Sequence, residues 1–324
     1  MIHLRIDDQR QRRLPFYLAM EEWAAANLPA ADYFFSWQVD PTVIFGRNQR
    51  IDLEVNLDYC RENGIETYRR KSGGGCVFAD RHNIMFSYIT PSEHVTTTFA
   101  RYTAMITAML RSLGVDAEAT GRNDITIGGR KVSGNSFYHV PGRSIVHGTM
   151  LYDTDFSHMA NAITPSRSKL ESKMVKSVPS HITTLNQHLS MPIERFREYA
   201  IDYMTDSELT ITDKQIAEIE KLEAPYYTPE WIYGRRSSAS LRHNRRIEGV
   251  GEFAVGIDLH EGRIADIDIE GDFFLLSDLD SALLDRLRNV RYVDYEIEHA
   301  LSATDTSEII FGLSTPQFID LIIN

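Results

Sequence analysis

The sequence predicts an α/β body over residues 1–240 and a small α+β domain over residues 241–324. Three observations predict it. One long amphipathic segment, Thr97 to Leu113, sits among apolar runs of strand length. From Gly121 to Leu151 the texture becomes short alternating runs separated by glycine turns. Near Tyr226 to Asn244, proline, tryptophan, serine and arginine interrupt every pattern, and a fresh hairpin signature follows.

The elements follow in order. Pro15 opens a helix to about Asn27, with Phe16, Ala19, Met20, Trp23 and Ala24 at helical spacing. Tyr33 to Trp37 and Thr42 to Phe45 read as strands joined at Asp40-Pro41, Leu57 to Asn63 as a short helix stopped by Gly64, and Asn83 to Ile89 as a strand. Thr97 to Leu113 puts Phe99, Tyr102, Ile106, Met109, Leu110 and Leu113 on one face and ends at Gly114. Ile125 to Ile127, Gly128-Gly129 and Arg130 to Ser133 form a hairpin with a primed turn, and Ser144 to Leu151 adds a strand. Asp155 to Ile163, Ile193 to Thr205 and Lys214 to Glu223 read as helices. Beyond the break, alternation at Phe253 to Leu259 and Ala265 to Ile269 flanks a His260-Glu261-Gly262 turn, before helices at Ser277 to Val290 and Pro316 to Ile323.

Composition narrows the function classes. The 324 residues carry 34 Lys+Arg against 46 Asp+Glu, a formal charge of −12, which argues against nucleic acid as the main partner. No apolar run approaches a membrane span, and the charged start from Met1 to Arg13 is unlike a secretory signal, so a cytoplasmic protein is expected. Cys60 and Cys76 are too few for a disulfide framework or a tetrahedral zinc site.

Four segments carry candidate chemistry. In Arg69-Arg70-Lys71-Ser72-Gly73-Gly74-Gly75, glycines let backbone N–H groups converge on an anion and guanidinium adds fixed donors; the same pattern also suits a solvated surface turn. It is neither the P-loop nor the dinucleotide fingerprint. Around the hairpin lie Gly121-Arg122-Asn123-Asp124 and Arg130-Lys131-Val132-Ser133-Gly134, where alternation sets Lys131 and Ser133 on one face. Lys131 there can neutralise a transferring phosphoryl group, and Asp124 can hold Mg²⁺; a polar edge hairpin is the plainer reading. His147-Gly148-Thr149 begins a strand, and Lys169, Lys173 and Lys176 form a basic run; alone, these read as a structural histidine and a solvated surface. Cys76 follows the glycines, where cations favour a thiolate, yet it also suits a small packing residue.

Taken together and in order, these segments resemble the lipoate–protein ligase A family over nearly the whole chain. Phe16-Tyr17-Leu18-Ala19-Met20-Glu21-Glu22 resembles its first helix, Pro41 to Gln49 its strand and turn, Arg69 to Val77 its arginine–serine–triple-glycine signature, and Gly121 to Gly134 its central motif. His147-Gly148-Thr149 and Lys173 to Val178 follow at family spacing, and the later hairpin with Gly271-Asp272-Phe273-Phe274 matches its small accessory domain. The resemblance implies the fold of biotin ligases and class II aminoacyl-tRNA synthetase catalytic domains, with a small accessory domain. It implies a two-step reaction: lipoate and ATP give lipoyl-AMP and pyrophosphate, and a lysine of a lipoyl domain then takes the acyl group.

By the same resemblance, Arg70 and Gly75, Cys76, Val77 and Phe78 contact ATP, Gly73 and Gly74 let the loop approach the ligand, and Lys131 touches both the α-phosphate and the lipoate carboxylate. His147 lines the site, Asn123 and Asp124 lie near the phosphates with Mg²⁺ at Asp124, and Lys173 and Lys176 belong to a loop that closes on the adenylate. Ser72, Ser133, Gly134, Gly148 and Thr149 complete the expected binding set. Expected acceptors are the lipoyl domains of 2-oxoacid dehydrogenase E2 subunits and the glycine-cleavage H protein, with a monomeric enzyme as the default. The chain departs from the family at Cys76, where alanine is frequent, and at Pro179 and His181, where arginines are frequent.

Three rivals remain at this stage. A cofactor-free octanoyl or lipoyl transferase would act through a cysteine thioester; Gly75 and residues 245–324 favour the ATP-dependent ligase instead. A lipoate-sensing binder would have lost the lysine or the glycines, and both are present. A biotin ligase would carry an arginine-rich adenylate signature that is missing.

Overall fold

Pro15 sits in the first turn of α1 (Leu14–Asn27), where its missing N–H removes nothing from the helix ladder. The helix is apolar nearly all round and is buried accordingly: Leu14, Phe16, Leu18, Met20 and Trp23 are inside, and so is Glu21. The computed structural model describes residues 1–8, 10–92, 94–121, 123–164, 181–234 and 239–324. They form two units: Met1–Phe45, Asp52–Arg70 and Cys76–Ile232 make the first, and Gly46–Ile51, Lys71–Gly75 and Tyr233–Asn324 the second.

The first unit is framed by a mixed sheet. Its strands are β1 (Ile2–Arg5), β2 (Tyr33–Trp37), β6 (Asn83–Thr90), β7 (Ala117–Ala119), β8 (Asp124–Ile127), β9 (Arg130–Val140), β10 (Arg143–Leu151) and β11 (Ser207–Thr210), in the order β11-β1-β2-β6-β10-β9-β8-β7. Only β1 pairs in parallel, with β11 and β2; the rest is antiparallel. A smaller sheet sets β3 (Thr42–Phe45) between β4 (Glu66–Arg69) and β5 (Val77–Ala79).

Period-two alternation decides which side chains face which helix. His147 and Ser87 point to α1, where they meet Glu21. Phe86, Tyr88 and Phe137 point the other way, toward α2 (Val95–Ser112), whose Tyr102 stacks on Tyr88 at 6.1 Å and whose Phe99 meets Phe137 at 5.0 Å with the rings tilted by 59°. Two layers of helix therefore cover one sheet.

The second unit is built on β12 (Leu241–Ile247), β13 (Gly251–His260) and β14 (Arg263–Gly271), an antiparallel sheet. Val255, Ile257, Ile267 and Ile269 face a core closed by Leu283, Leu287, Ile297, Phe318 and Ile322. The helix expected over Ser277 to Val290 is two short turns, Leu279–Ala282 and Leu284–Arg286. Leu283, at φ −130° and ψ −58°, leaves the helical region between them, so that Leu283, Leu284 and Leu287 all reach the core. Strand β12 falls in what reads as a break, because its outward positions are Arg242, Asn244 and Arg246 rather than apolar residues.

Candidate active site

Lys131 is placed by a bulge. The turn between β8 and β9 has Gly128 and Gly129 at φ 56° and 74°, the primed geometry that needs glycine. Thr126 opposes Lys131, but Ile125 opposes Ser133, so Val132 is the extra residue of a β-bulge. Strict alternation would have set Lys131, Ser133 and Asp124 on one face. The bulge removes Ser133 from that face and brings Gly134 opposite Asp124 in its place. Lys131 Nζ then lies 2.7 Å from Asp124 Oδ1, folded over Gly134. A Cβ on residue 134 would stand 2.6 Å from Nζ and 2.7 Å from Cε, so the glycine is what makes room for the lysine. On its other edge, the Lys131 carbonyl accepts the Thr183 N–H at 2.8 Å, tying Ile182 and Thr183 to this strand. Ser133, now on the opposite face, donates to Asn135 Oδ1 at 3.2 Å, and Asn135 Nδ2 donates to the Asn123 carbonyl.

His147 belongs to a buried polar network. Its Nδ1 lies 3.0 Å from each oxygen of the fully buried Glu21. Ser87 donates to Glu21 at 2.6 Å, Tyr138 at 3.3 Å, and Trp37 Nε1 donates to Ser87 at 2.9 Å. Burial, reinforced by the Glu21 charge, pushes the Tyr138 phenol far above its ordinary pKa and keeps it a donor. Gly148 serves its neighbour: a Cβ there would meet Asn135 Oδ1 at 1.9 Å. Thr149 Oγ1 accepts the Gly134 N–H at 3.2 Å, which steadies the bulge.

Arg70 is buried, and Nη1 donates to the Ile44 carbonyl at 3.0 Å. Burial pulls its pKa down to about 10, still far enough above neutrality to keep the charge. Phe78 is buried and stacks on His158 at 6.3 Å, while Val77 is partly buried and Trp37 stacks on Tyr17 at 5.0 Å. Cys76 is half-buried, and Cys60 is buried with its thiol pKa pushed up by desolvation, the wrong direction for a nucleophile.

The glycine signature belongs to the second unit. Ser72 is fully buried, and its carbonyl accepts the Arg47 N–H at 2.9 Å. Sequence reasoning assigns Gly73 and Gly74 to ligand approach. Within this unit the loop also approaches backbone closely: a Cβ on Gly73 would lie 2.3 Å from the Phe273 carbonyl oxygen, and the Gly74 N–H donates to that same oxygen at 3.1 Å.

Lys169, Lys173, Lys176, Pro179 and Arg122 lie outside the described residues. Among the described residues no group of three His, Cys, Asp or Glu side chains could hold a metal. Sequence reasoning missed Glu21 as a site residue. Its signal was the Glu21-Glu22 pair within the otherwise apolar run Leu18 to Ala25, on a helix buried over most of its surface.

Residues 14–205 match the lipoyl protein ligase A/B catalytic domain, and residues 237–322 match the bacterial lipoate protein ligase C-terminus. The chain belongs to the lipoate–protein ligase family. It is 32% identical to the lipoate-protein ligase LplJ of Bacillus subtilis across 98% of this chain and 99% of that one. Among solved structures, LipL1 of P. falciparum in complex with lipoate superposes with a TM-score of 0.79 at 18% identity, over 99% of this chain and 98% of that one; the two share a fold. An archaeal bi-partite lipoate protein ligase from Thermoplasma acidophilum, determined with its E2 lipoyl domain, matches with a TM-score of 0.64 at 25% identity, over 74% of this chain and 98% of that chain. The mixed α/β body with a small α+β second unit is thus the architecture of lipoate ligases. No helix among the described residues is long and apolar enough to cross a membrane.

Proposed function

We propose that this chain is an ATP-dependent lipoate–protein ligase of lipoate salvage. A lipoate carboxylate oxygen attacks the α-phosphorus of ATP, the bond to the β-phosphate breaks and pyrophosphate leaves. The neutral amine of an acceptor lysine then attacks the acyl carbon of lipoyl-AMP, AMP departs, and the surplus amine proton is released.

The observation that carries this reading is the bulge-set lysine. The first step must bring two anions into bonding distance, and their repulsion opposes it unless a fixed cation offsets it. Lys131 supplies that cation on a hairpin held by Gly134, Thr149 and Thr183. Removing one such preorganised donor typically lowers the rate ~10²–10³-fold, roughly 3–4 kcal/mol. Arg70 binds the nucleotide, and Lys173 and Lys176 supply charge to the adenylate. The lipoate tail lies against Trp37, Val77 and their apolar neighbours; burying about seven methylenes contributes several kcal/mol at ~0.8 each. Magnesium, when present, comes with the nucleotide and screens its phosphate charge. Mg²⁺ is usually held by one or two carboxylates plus phosphate oxygens, and Asp124 with Asn123 beside it suits that donor set.

Acceptors are the lipoyl domains of E2 subunits and the glycine-cleavage H protein, and the enzyme works as a cytoplasmic monomer. The test is incubation with ATP, Mg²⁺ and lipoate, read by mass spectrometry for the mixed anhydride and by lipoate-dependent pyrophosphate release. Acyl transfer that proceeds without ATP and disappears in Cys76→Ser would favour the thioester transferase instead.

A further inference from the structure

Three glycines in the second unit stand where any Cβ would strike backbone, and all three contribute to one interlock. A Cβ on Gly46 would lie 2.0 Å from the Gly74 carbonyl oxygen, one on Gly73 would lie 2.3 Å from the Phe273 oxygen, and one on Gly271 would lie 1.9 Å from the Glu252 oxygen. Hydrogen bonds join the same segments. Gly74 N–H donates to Phe273 O at 3.1 Å, Arg47 N–H to Ser72 O at 2.9 Å, and Gly271 N–H to Asn48 O at 2.7 Å. Two backbone segments, 46–49 and 271–274, therefore grip the glycine loop.

The Phe273 side of this grip is the rigid one. Phe273 is fully buried and stacks on Phe253 at 4.9 Å and 7°, inside the second unit's core. Asp272 Oδ1 accepts the Glu252 N–H at 2.7 Å, and the Phe274 carbonyl accepts the Phe311 N–H at 2.9 Å. A run of three glycines has more backbone freedom to lose than any other tripeptide, so a loop that must hold an anion gains most from being fixed beforehand.

We propose that Gly271–Phe274 is the positioning element of the glycine loop: the Phe273 carbonyl holds the Gly74 amide and sets the loop's path before substrate arrives. Gly73 is then glycine because of the Phe273–Phe274 backbone, Gly74 because its φ is 84°, and the Gly74 N–H is not a ligand donor. The proposal rests on the ligase reading and adds to it a residue beyond the catalytic-domain match that acts on adenylation. Phe273 is a positioning residue; it acts through the loop.

The full-length chain tests this. In the wild type, hydrogen–deuterium exchange at single-residue resolution should show the Gly74 amide protected like the β13–β14 amides. In Gly73→Ala, the added Cβ forces a shift of about 1 Å or more, and displacements of that size lower rates ~10²-fold. Lipoyl-AMP formation should fall by that order, with Gly74 protection lost and the melting temperature lowered while a cooperative transition remains. Adenylation must hold a carboxylate and a triphosphate together, whereas transfer starts from one adenylate with a single phosphate charge. Gly73→Ala should therefore lose at least tenfold more of the first step than of transfer from supplied lipoyl-AMP. Asp272→Ala, which loosens the grip from the other side, should repeat the pattern. A purely structural role would lower both steps together. Rapid wild-type exchange at Gly74, or folded variants within twofold of wild type in adenylation, overturns the proposal. Should Gly73→Ala not fold, wild-type exchange and Asp272→Ala decide. A wild type that makes no lipoyl-AMP instead sinks the ligase reading.

Discussion

Gly134→Ala isolates the lysine from the fold that carries it. The added Cβ would stand 2.6 Å from Lys131 Nζ and 2.7 Å from Cε, against the 3.5–4 Å or so that carbon contacts require. The obstructed atoms are the far end of a flexible side chain, so the lysine yields and the backbone does not. Gly134 does not adopt a positive φ, and alanine can take its place without strain. The exchange even favours the folded state by about 0.4–1 kcal/mol through the unfolded chain's lost freedom. Release of the Lys131–Asp124 pair subtracts little: the side chains are 32% and 29% exposed, where ion pairs contribute about 0–1 kcal/mol. The melting temperature should therefore move by no more than a few degrees. The ammonium, displaced by about 1 Å, should lower lipoyl-AMP formation ~10²-fold, about 2.7 kcal/mol at 1.36 kcal/mol per decade. The assay is lipoate-dependent pyrophosphate release beside a thermal melt. Adding Lys131→Met to Gly134→Ala should lose little more, because both act on one group. A folded Gly134→Ala enzyme within threefold of wild type would refute the reasoning.

Other outcomes follow from the same geometry. Glu21→Ala strips partners from His147, Ser87 and Tyr138 in a fully buried site, which should destabilise the chain by about 3–5 kcal/mol, seen as a large fall in melting temperature; an unchanged melt would mean the network is slack. Cys60→Ser with Cys76→Ser should retain ATP-dependent lipoylation, and its loss would revive the thioester route. Burial raises the Asp80 pKa above its ordinary value, so ionising it works against the folded state as pH rises through the carboxylate range. Asp80→Asn, which keeps the acceptor for the His82 N–H at 2.8 Å, should raise the melting temperature at pH 7 and lose that gain as the pH falls below about 4. An equal gain at both pH values would contradict this origin.

Much of the architecture is legible in residue patterns, and the exceptions have physical causes. Helix α1, helix α2 and the β8–β9 and β13–β14 hairpins declare themselves by period and turn chemistry. Strands β1, β5 and β11 are only three or four residues long and form by pairing with distant partners, so no local signal marks them. Alternation alone would put Ser133 beside Lys131; the bulge at Val132 puts Gly134 there, and a bulge depends on two strands rather than one. The glycine signature is readable as a loop that needs close approach. What it approaches, the Phe273 backbone, lies about two hundred residues along the chain, beyond any windowed pattern.

The most direct test of the account is the position of one nitrogen. In a crystal structure with a non-hydrolysable lipoyl-AMP analogue, Lys131 Nζ should have left Asp124 Oδ1 for an α-phosphate oxygen, at about 2.7–3.1 Å. An ammonium still paired with Asp124, or turned to solvent with no phosphate oxygen in reach, would contradict it.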